Sequence, residues 1–322
     1  MKKKKNSRPE GAQIDAIFCV NGEMLENNGE DSYAFSAAGS RGMVAAFDGC
    51  GGIGARRYEN FSGKTGAYVA SRAVSGAVSR WFDSGEPDEA LYSYVCRALS
   101  VCDQHADRST SRMMGSLGKS FPTTAAVTVF NVTDSCVDAA VMWAGDSRCY
   151  CLDAGGLHQL SVDDVAGEDA LSNLRDDGVL TNVISSSVGF DIHRAYYRVD
   201  TPCIIFSASD GCFGYINTPM QFEYVLVRSI VESESIDALK LRLDELFRDC
   251  SSDDYTLCTA IIGFGSFEAV RAYFVRRLEY LEQRYIYPLE NGQTAMEKLW
   301  YDYSAGYYCY LPKEPPAGPD GI

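Results

Sequence analysis

Apolar and polar positions along the chain follow two periods. Residues 42–47 form a short apolar run that stops at Asp48-Gly49, residues 203–207 one that leads to Asp210-Gly211, and residues 256–263 a third. Short apolar runs bounded by turn residues predict buried strands. Residues 124–132 are rich in β-branched side chains, and 137–144 follow after a polar Thr133-Asp134-Ser135 turn. Residues 148–153 and 157–160 flank Ala154-Gly155-Gly156, a hairpin signal. Consecutive strands with short links favour antiparallel sheets over βαβ units.

Helical spacing appears in two blocks. Ala70, Ala73, Val74, Ala77, Val78 and Trp81 share one face, and so do Leu91, Val95, Ala98, Leu99 and Cys102. Later, Thr218-Pro219 opens a helix with Gln221 placed for a capping box. Phe222, Val225, Leu226 and Ile230 form its stripe, and Leu239, Leu243, Leu246 and Phe247 mark the next helix. One-sided stripes suit helices lying on a sheet. Two helices early, two late and strands between them predict a layered α+β sandwich.

The character changes after Gly265. Phe267, Val270, Phe274, Leu278 and Leu281 predict a helix with a basic face at Arg271, Arg276 and Arg277, and tyrosines crowd the stretch from 301 to 310. The expected organisation is a loose basic tail over residues 1–11, one domain over 12–265, and a helical, Tyr-rich extension over 266–322. The extension reads as an appendage whose aromatic side chains pack on their own domain.

Composition narrows the function. The chain has 322 residues, 46% of them hydrophobic, enough for a sizeable core. Its net charge of −15 repels phosphate backbones, so no nucleic-acid partner is expected. No segment reaches the roughly 18 apolar residues of a membrane span, so no membrane partner is expected either. Lys2 to Lys5 imitate the start of a signal peptide, but the apolar stretch that should follow is broken at Asp15. The twelve cysteines include no CxxC pair, and most read as small buried hydrophobes in a reducing, cytoplasmic setting. His105, His158 and His193 are too dispersed for a histidine-rich zinc site.

Acids recur at the edges of strand-like runs. Glu30-Asp31 precedes residues 32–35, Asp48 follows 45–47, Asp210 follows 204–206, and Asp253-Asp254 precedes 255–257. Taken singly, each Asp-Gly pair reads as a turn. Converging on one end of a sandwich, the four would make an all-oxygen site, which selects Mg²⁺ or Mn²⁺ over zinc or copper.

Their order carries a resemblance. The series Glu30-Asp31-Ser32, Phe47-Asp48-Gly49-Cys50-Gly51-Gly52, Phe121-Pro122-Thr123-Thr124-Ala125, Ala144-Gly145-Asp146-Ser147-Arg148, Ser209-Asp210-Gly211 and Asp253-Asp254-Tyr255-Thr256 resembles the metal-dependent serine/threonine protein phosphatases of type 2C, the PPM family, in its bacterial branch. Any one of these motifs is weak; the ordered set is strong, and it covers nearly all of residues 11–265. The resemblance implies a four-layer α-β-β-α sandwich, with two central antiparallel sheets and helix pairs on the outer faces. It implies hydrolysis of phosphoserine and phosphothreonine on proteins, with two Mn²⁺ or Mg²⁺ ions and room for a third. Asp48 would bridge the pair, with the Gly49 carbonyl on one ion, and Glu30, Asp210 and Asp253 would hold the other. Asp31 would order the attacking water, and Asp146 would support the site or hold the third ion. The implied partners are a phosphoprotein substrate and a cognate Ser/Thr kinase.

Three departures from the family pattern stand out. Cys50 occupies the place where many eukaryotic members carry a His that acts as general acid. It reads as packing, with proton donation as the alternative. No Arg stands among residues 25–29, where the family often binds phosphate, and Arg56 and Arg57 become the candidates. Asp254 replaces the family's Asn. The first two departures leave open a second function, a pseudophosphatase-like module that recognises a phosphoprotein or kinase without turnover.

Overall fold

The computed structural model describes residues 11–107, 120–166, 169–174 and 178–311. Two five-stranded antiparallel sheets form its centre. In chain order the elements are β1 (Ile14–Gly22), β2 (Ser32–Ala38), β3 (Arg41–Phe47), α1 (Gly51–Gly54), β4 (Arg57–Tyr58), β5 (Lys64–Thr65), α2 (Gly66–Ser84) and α3 (Leu91–His105). There follow β6 (Ala125–Val132), β7 (Cys136–Ala144), β8 (Arg148–Asp153), β9 (Gly156–Gln159), β10 (His193–Asp200) and β11 (Cys203–Ala208). The chain continues through α4 (Pro219–Glu232), α5 (Ile236–Cys250), β12 (Tyr255–Ile262), α6 (Phe267–Leu281), α7 (Tyr287–Glu290) and α8 (Met296–Tyr307).

One sheet has the order β1-β12-β11-β8-β9 and the other β10-β7-β6-β3-β2, with β4 and β5 as a separate ribbon. Between the sheets lies a layer of Val44, Val141, Cys149, Cys203, Ile205, Cys258 and Ile262. The outer face of the second sheet buries the α2 and α3 stripes, including Val74, Trp81, Val95 and Leu99. On the outer face of the first sheet, α4 and α5 bury Phe222, Leu226, Leu243 and Phe247. This is the expected four-layer architecture. β12 is buried along its whole length because it has a sheet neighbour on both edges and apolar layers on both faces.

The helix starts follow their caps. Thr218 accepts a hydrogen bond from the Gln221 N–H at 3.1 Å, and Pro219 supplies a preset φ at the first helical position. Ser235 and Ser266 cap α5 and α6 in the same way.

Packing runs across Gly265. Val270, Phe274, Leu281, Leu299, Trp300, Tyr303 and Tyr307 belong to the same apolar cluster as Phe206, Phe222 and Leu257. Arg277 forms a two-pronged ion pair with Glu223 at 2.6 and 2.9 Å, and Tyr303 donates to the same carboxylate at 2.6 Å. Glu223 is fully buried, so these two residues of the extension compensate a charge inside α4.

Candidate metal centre

The two sheets bring four strand ends to one edge of the sandwich. β2 begins beside the end of β3, where Ser32 pairs with Phe47. β12 begins beside the end of β11, where Leu257 pairs with Ala208. Glu30 and Asp31 therefore neighbour Asp48 on one sheet, and Asp210 neighbours Asp253 on the other. Ser209 stitches the layers together: its hydroxyl donates to Asp31 Oδ2 at 2.7 Å and accepts the Thr256 N–H at 2.8 Å.

The backbone around Asp48 is pinned from three directions. Thr124 N–H and the Thr123 hydroxyl both donate to the Asp48 carbonyl, at 2.8 and 2.7 Å, and Asp48 N–H donates to Thr124 Oγ1 at 3.2 Å. Gly49 has no room for a side chain, since a Cβ there would stand 2.6 Å from the Glu30 carbonyl and 2.7 Å from that of Ala67. Gly211 is tighter still, with the Asp254 carbonyl 1.9 Å from any Cβ. These glycines let the chain leaving one strand touch, through backbone alone, the chain entering its neighbour in the same sheet.

Glu30 is aimed by its neighbours. The Thr65 hydroxyl, which also caps α2, donates to Glu30 Oε1. The Glu30 N–H donates to Asp254 Oδ2 at 2.6 Å, and the Ser71 hydroxyl donates to its carbonyl at 2.5 Å. Asp254 also accepts the Met24 N–H through Oδ1 at 2.7 Å. One carboxylate thus clamps both ends of the loop that leads into the acidic pair.

The electrostatics show what the cluster lacks. Burial pushes the Asp48 carboxyl well above the usual range, and Asp210, Asp31, Asp146 and Asp253 push it further. Asp210 is raised by burial, then by Asp146, Asp253 and Asp31. Burial carries Asp31 up to about 7 against the opposing hydroxyls of Ser209 and Thr256. Asp146 rises to about 6, from burial and then from Asp163. Carboxylates that raise one another need protons or cations for company. Asp146 Oδ1 is buried and without a hydrogen-bond partner. Among the described residues no three Asp, Glu, His or Cys groups form a closed coordination shell. The donor set is nonetheless all oxygen, crowded and negatively charged, and so fits hard divalent cations.

The two arginine candidates part company. Arg56 turns away, donating to the Asp107 carbonyl at 2.8 Å and lying 4.4 Å over the Tyr58 ring. Arg57 is exposed and lines a cleft of about 230 Å³ with Glu30, Lys64, Thr65, Asp253 and Asp254. Its charge partly offsets the upward shift of Glu30, which burial dominates. Cys50 stands at the start of α1, its Sγ 4.0 Å from the Asp48 carbonyl. His105 and His158 sit away from the cluster on helix and hairpin contacts. His193 meets Asp164 at 2.9 Å.

Sequence reasoning missed the supporting residues Thr65, Ser209, Thr256 and Asp254 as positioning groups. Ser209, Thr256 and Asp254 stood in the motif series without a positioning role, and Thr65 carried no signal at all. It also gave no pairing to Arg148, whose guanidinium is held by Asp163 through three hydrogen bonds at 2.9, 3.1 and 2.6 Å, with both side chains almost fully buried.

The two antiparallel sheets, their outer helices and the acids at one edge define the fold of the bacterial PPM-type serine/threonine phosphatases. The match is to several solved structures. The Mycobacterium tuberculosis serine/threonine phosphatase PstP/Ppp is 18% identical, with a TM-score of 0.50 over 76% of this chain and 97% of its own. Stp1 of Staphylococcus aureus is 16% identical, with a TM-score of 0.53 over 78% and 96%. PppA of Pseudomonas aeruginosa, described as a key regulatory component of T6SS, is 17% identical, with a TM-score of 0.50 over 78% and 99%. No protein-family model and no curated protein sequence matches the chain. Among the described residues no helix is long and apolar enough to cross a membrane.

Proposed function

We propose that the chain is a metal-dependent phosphatase that hydrolyses phosphoserine and phosphothreonine on proteins. The observation that carries this reading is the meeting of Asp31, Asp146 and Asp253 with Asp48 and Asp210, from both sheets, closely enough to raise the proton affinity of Asp48 and Asp210. The structural neighbours, themselves serine/threonine phosphatases, support it.

Asp48, the Gly49 carbonyl, Glu30, Asp210 and Asp253 would hold two Mn²⁺ or Mg²⁺ ions, and Asp146 would support them or hold a third. When bound, such ions neutralise phosphoryl oxygens and acidify water. The chain's own residues do the rest. Thr65 and Asp254 fix Glu30, Ser209 fixes Asp31, and Arg57 offers a cation to the substrate at the cleft mouth. Asp31, with its carboxyl near 7, can hold a proton at Oδ1 while Oδ2 stays bonded to Ser209. The partners proposed are a phosphoprotein and a cognate Ser/Thr kinase. Among the described residues no disulfide joins two cysteines, which suits the proposed cytoplasmic setting.

The test is hydrolysis of a phosphothreonine peptide with added Mn²⁺, with and without chelator. Turnover that vanishes on chelation is expected, and full turnover in excess chelator would overturn the reading. The engagement of Arg56 by Asp107 favours a second reading, a phosphoprotein-binding module without turnover. Peptide binding at saturating Mn²⁺ with no released phosphate would select it.

A further inference from the structure

The extension reaches the candidate site through a loop. Trp300, on α8, is 6% exposed, and its Nε1–H donates to Asp169 Oδ2 at 2.7 Å. The Tyr308 hydroxyl, just past the end of α8, accepts the Ala170 N–H at 2.7 Å. Asp169 Oδ1 accepts the N–H groups of Leu171 and Ser172 at 3.0 and 2.9 Å, closing a turn whose Ala170 and Leu171 are buried with Trp300. That turn belongs to the connection between β9 and β10.

From the turn, contacts continue inward. Asn173 Nδ2 donates to Asp163 Oδ2 at 3.0 Å, and Asp163 holds Arg148, the residue that opens β8. The next residue, Asp164, accepts the Gly145 N–H at 2.9 Å and returns its own N–H to the Gly145 carbonyl at 3.0 Å. Gly145 to Arg148 is the turn that carries Asp146. A second route is shorter: the Tyr307 and Tyr150 hydroxyls meet at 3.2 Å, and Arg148 donates to Tyr150 at 3.3 Å. The first route is a part-buried hydrogen-bond chain and the second a buried one, the kind of contact that fixes a functional group from behind.

We propose that α8 is an intramolecular brace that holds the Asp169-to-Leu174 turn and, through Asp163 and Arg148, sets the position of the Asp146 turn, which makes Trp300 a positioning residue for the centre. The consequence for catalysis rests on the phosphatase reading, whereas the brace itself does not.

The test uses the full chain with Trp300→Phe, which keeps an aromatic ring but removes the donor, and Tyr308→Phe, which removes one hydroxyl and keeps the fold if the first variant does not. Tyr301→Phe, on the 80% exposed face of α8, is the control. Hydrogen exchange of the peptide spanning residues 161–174 should quicken by about tenfold or more in the first two variants and not in the control. The Mn²⁺ concentration for half-maximal binding, read by calorimetry, should rise severalfold, while kcat at saturating Mn²⁺ recovers. Unchanged exchange in both variants would overturn the brace. Quickened exchange with unchanged Mn²⁺ binding would overturn its action on the centre. A wild-type chain that binds Mn²⁺ but releases no phosphate would overturn the phosphatase reading alone, because exchange and calorimetry still decide the brace.

Discussion

At the scale of single residues, the centre is a set of charges kept close against their mutual repulsion. Asp48→Asn and Asp210→Asn each remove one unit of negative charge at nearly constant volume. Both should lower Mn²⁺ affinity and cut phosphopeptide turnover by several powers of ten. The metal-free protein should melt at the same temperature or slightly higher, because burial and neighbouring acids already disfavour these charges. A marked fall in metal-free melting would instead make them turn residues. Asp254 is the opposite case, an acid fully employed as an acceptor. Asp254→Asn would turn an N–H donor toward either Met24 or Glu30. The expected cost is roughly 1–3 kcal/mol for the unsatisfied group. Weaker Mn²⁺ binding should accompany it as Glu30 loses its backbone anchor. Chemical denaturation and calorimetry on the one variant check both.

At the scale of elements, the hairpin of β8 and β9 shows how pH should act on stability. His158 Nε2 lies 3.0 Å from Asp153 Oδ1, and Nδ1 lies 2.7 Å from the Gly306 carbonyl just before α8 ends. Burial opposes charge on the ring, but Asp153 and the carbonyl outweigh it and hold the imidazole above its ordinary 6.5. A raised folded value adds stability that is complete below 6.5 and lost as pH climbs from 6.5 through the raised folded value. His158→Gln should therefore lower the melting temperature more at about pH 6 than at about pH 8.5. A pH-independent difference would show that only packing is lost. Most of these elements were legible in the sequence. The strands β3, β6, β8, β11 and β12 announce themselves as apolar runs because nearly all their residues are buried, and β7 because its second half is. β10 escaped because it is an edge strand whose inward residues, Ala195, Tyr197 and Val199, alternate with Arg194, Tyr196 and Arg198. The period was present, but the mean polarity hid it. Motif order picked out the acids that the fold gathers at one edge, while it gave no role to the residues that hold them in place. Thr65 and Ser209 look like ordinary cap and turn residues until the fold places them beside Glu30 and Asp31.

At the scale of the molecule, Gly265 divides the topology but not the packing. Deleting residues 266–322 would remove both Arg277 and Tyr303 from Glu223, leaving a fully buried carboxylate uncompensated. Losses of that kind cost roughly 3–5 kcal/mol. The deletion would also uncover the apolar surface of α4. The shortened chain should be far less stable and prone to aggregate, and Glu223→Gln in the same background should recover part of the loss. Melting and light scattering on the two shortened chains are the check. A shortened chain as stable as the whole would restore the extension to the status of an appendage. The Ser209–Asp31 hydrogen bond, which joins the two sheets behind the carboxylates, has a further consequence for the order of assembly. Each sheet on its own owns half of the negative charge and none of the enclosure. A chain that has closed only one layer presents two half-sites, each too weak to hold a divalent ion. On the proposed metal-dependent reading, ion capture would be the final event of maturation, and bound metal would count the molecules whose two halves have closed on each other.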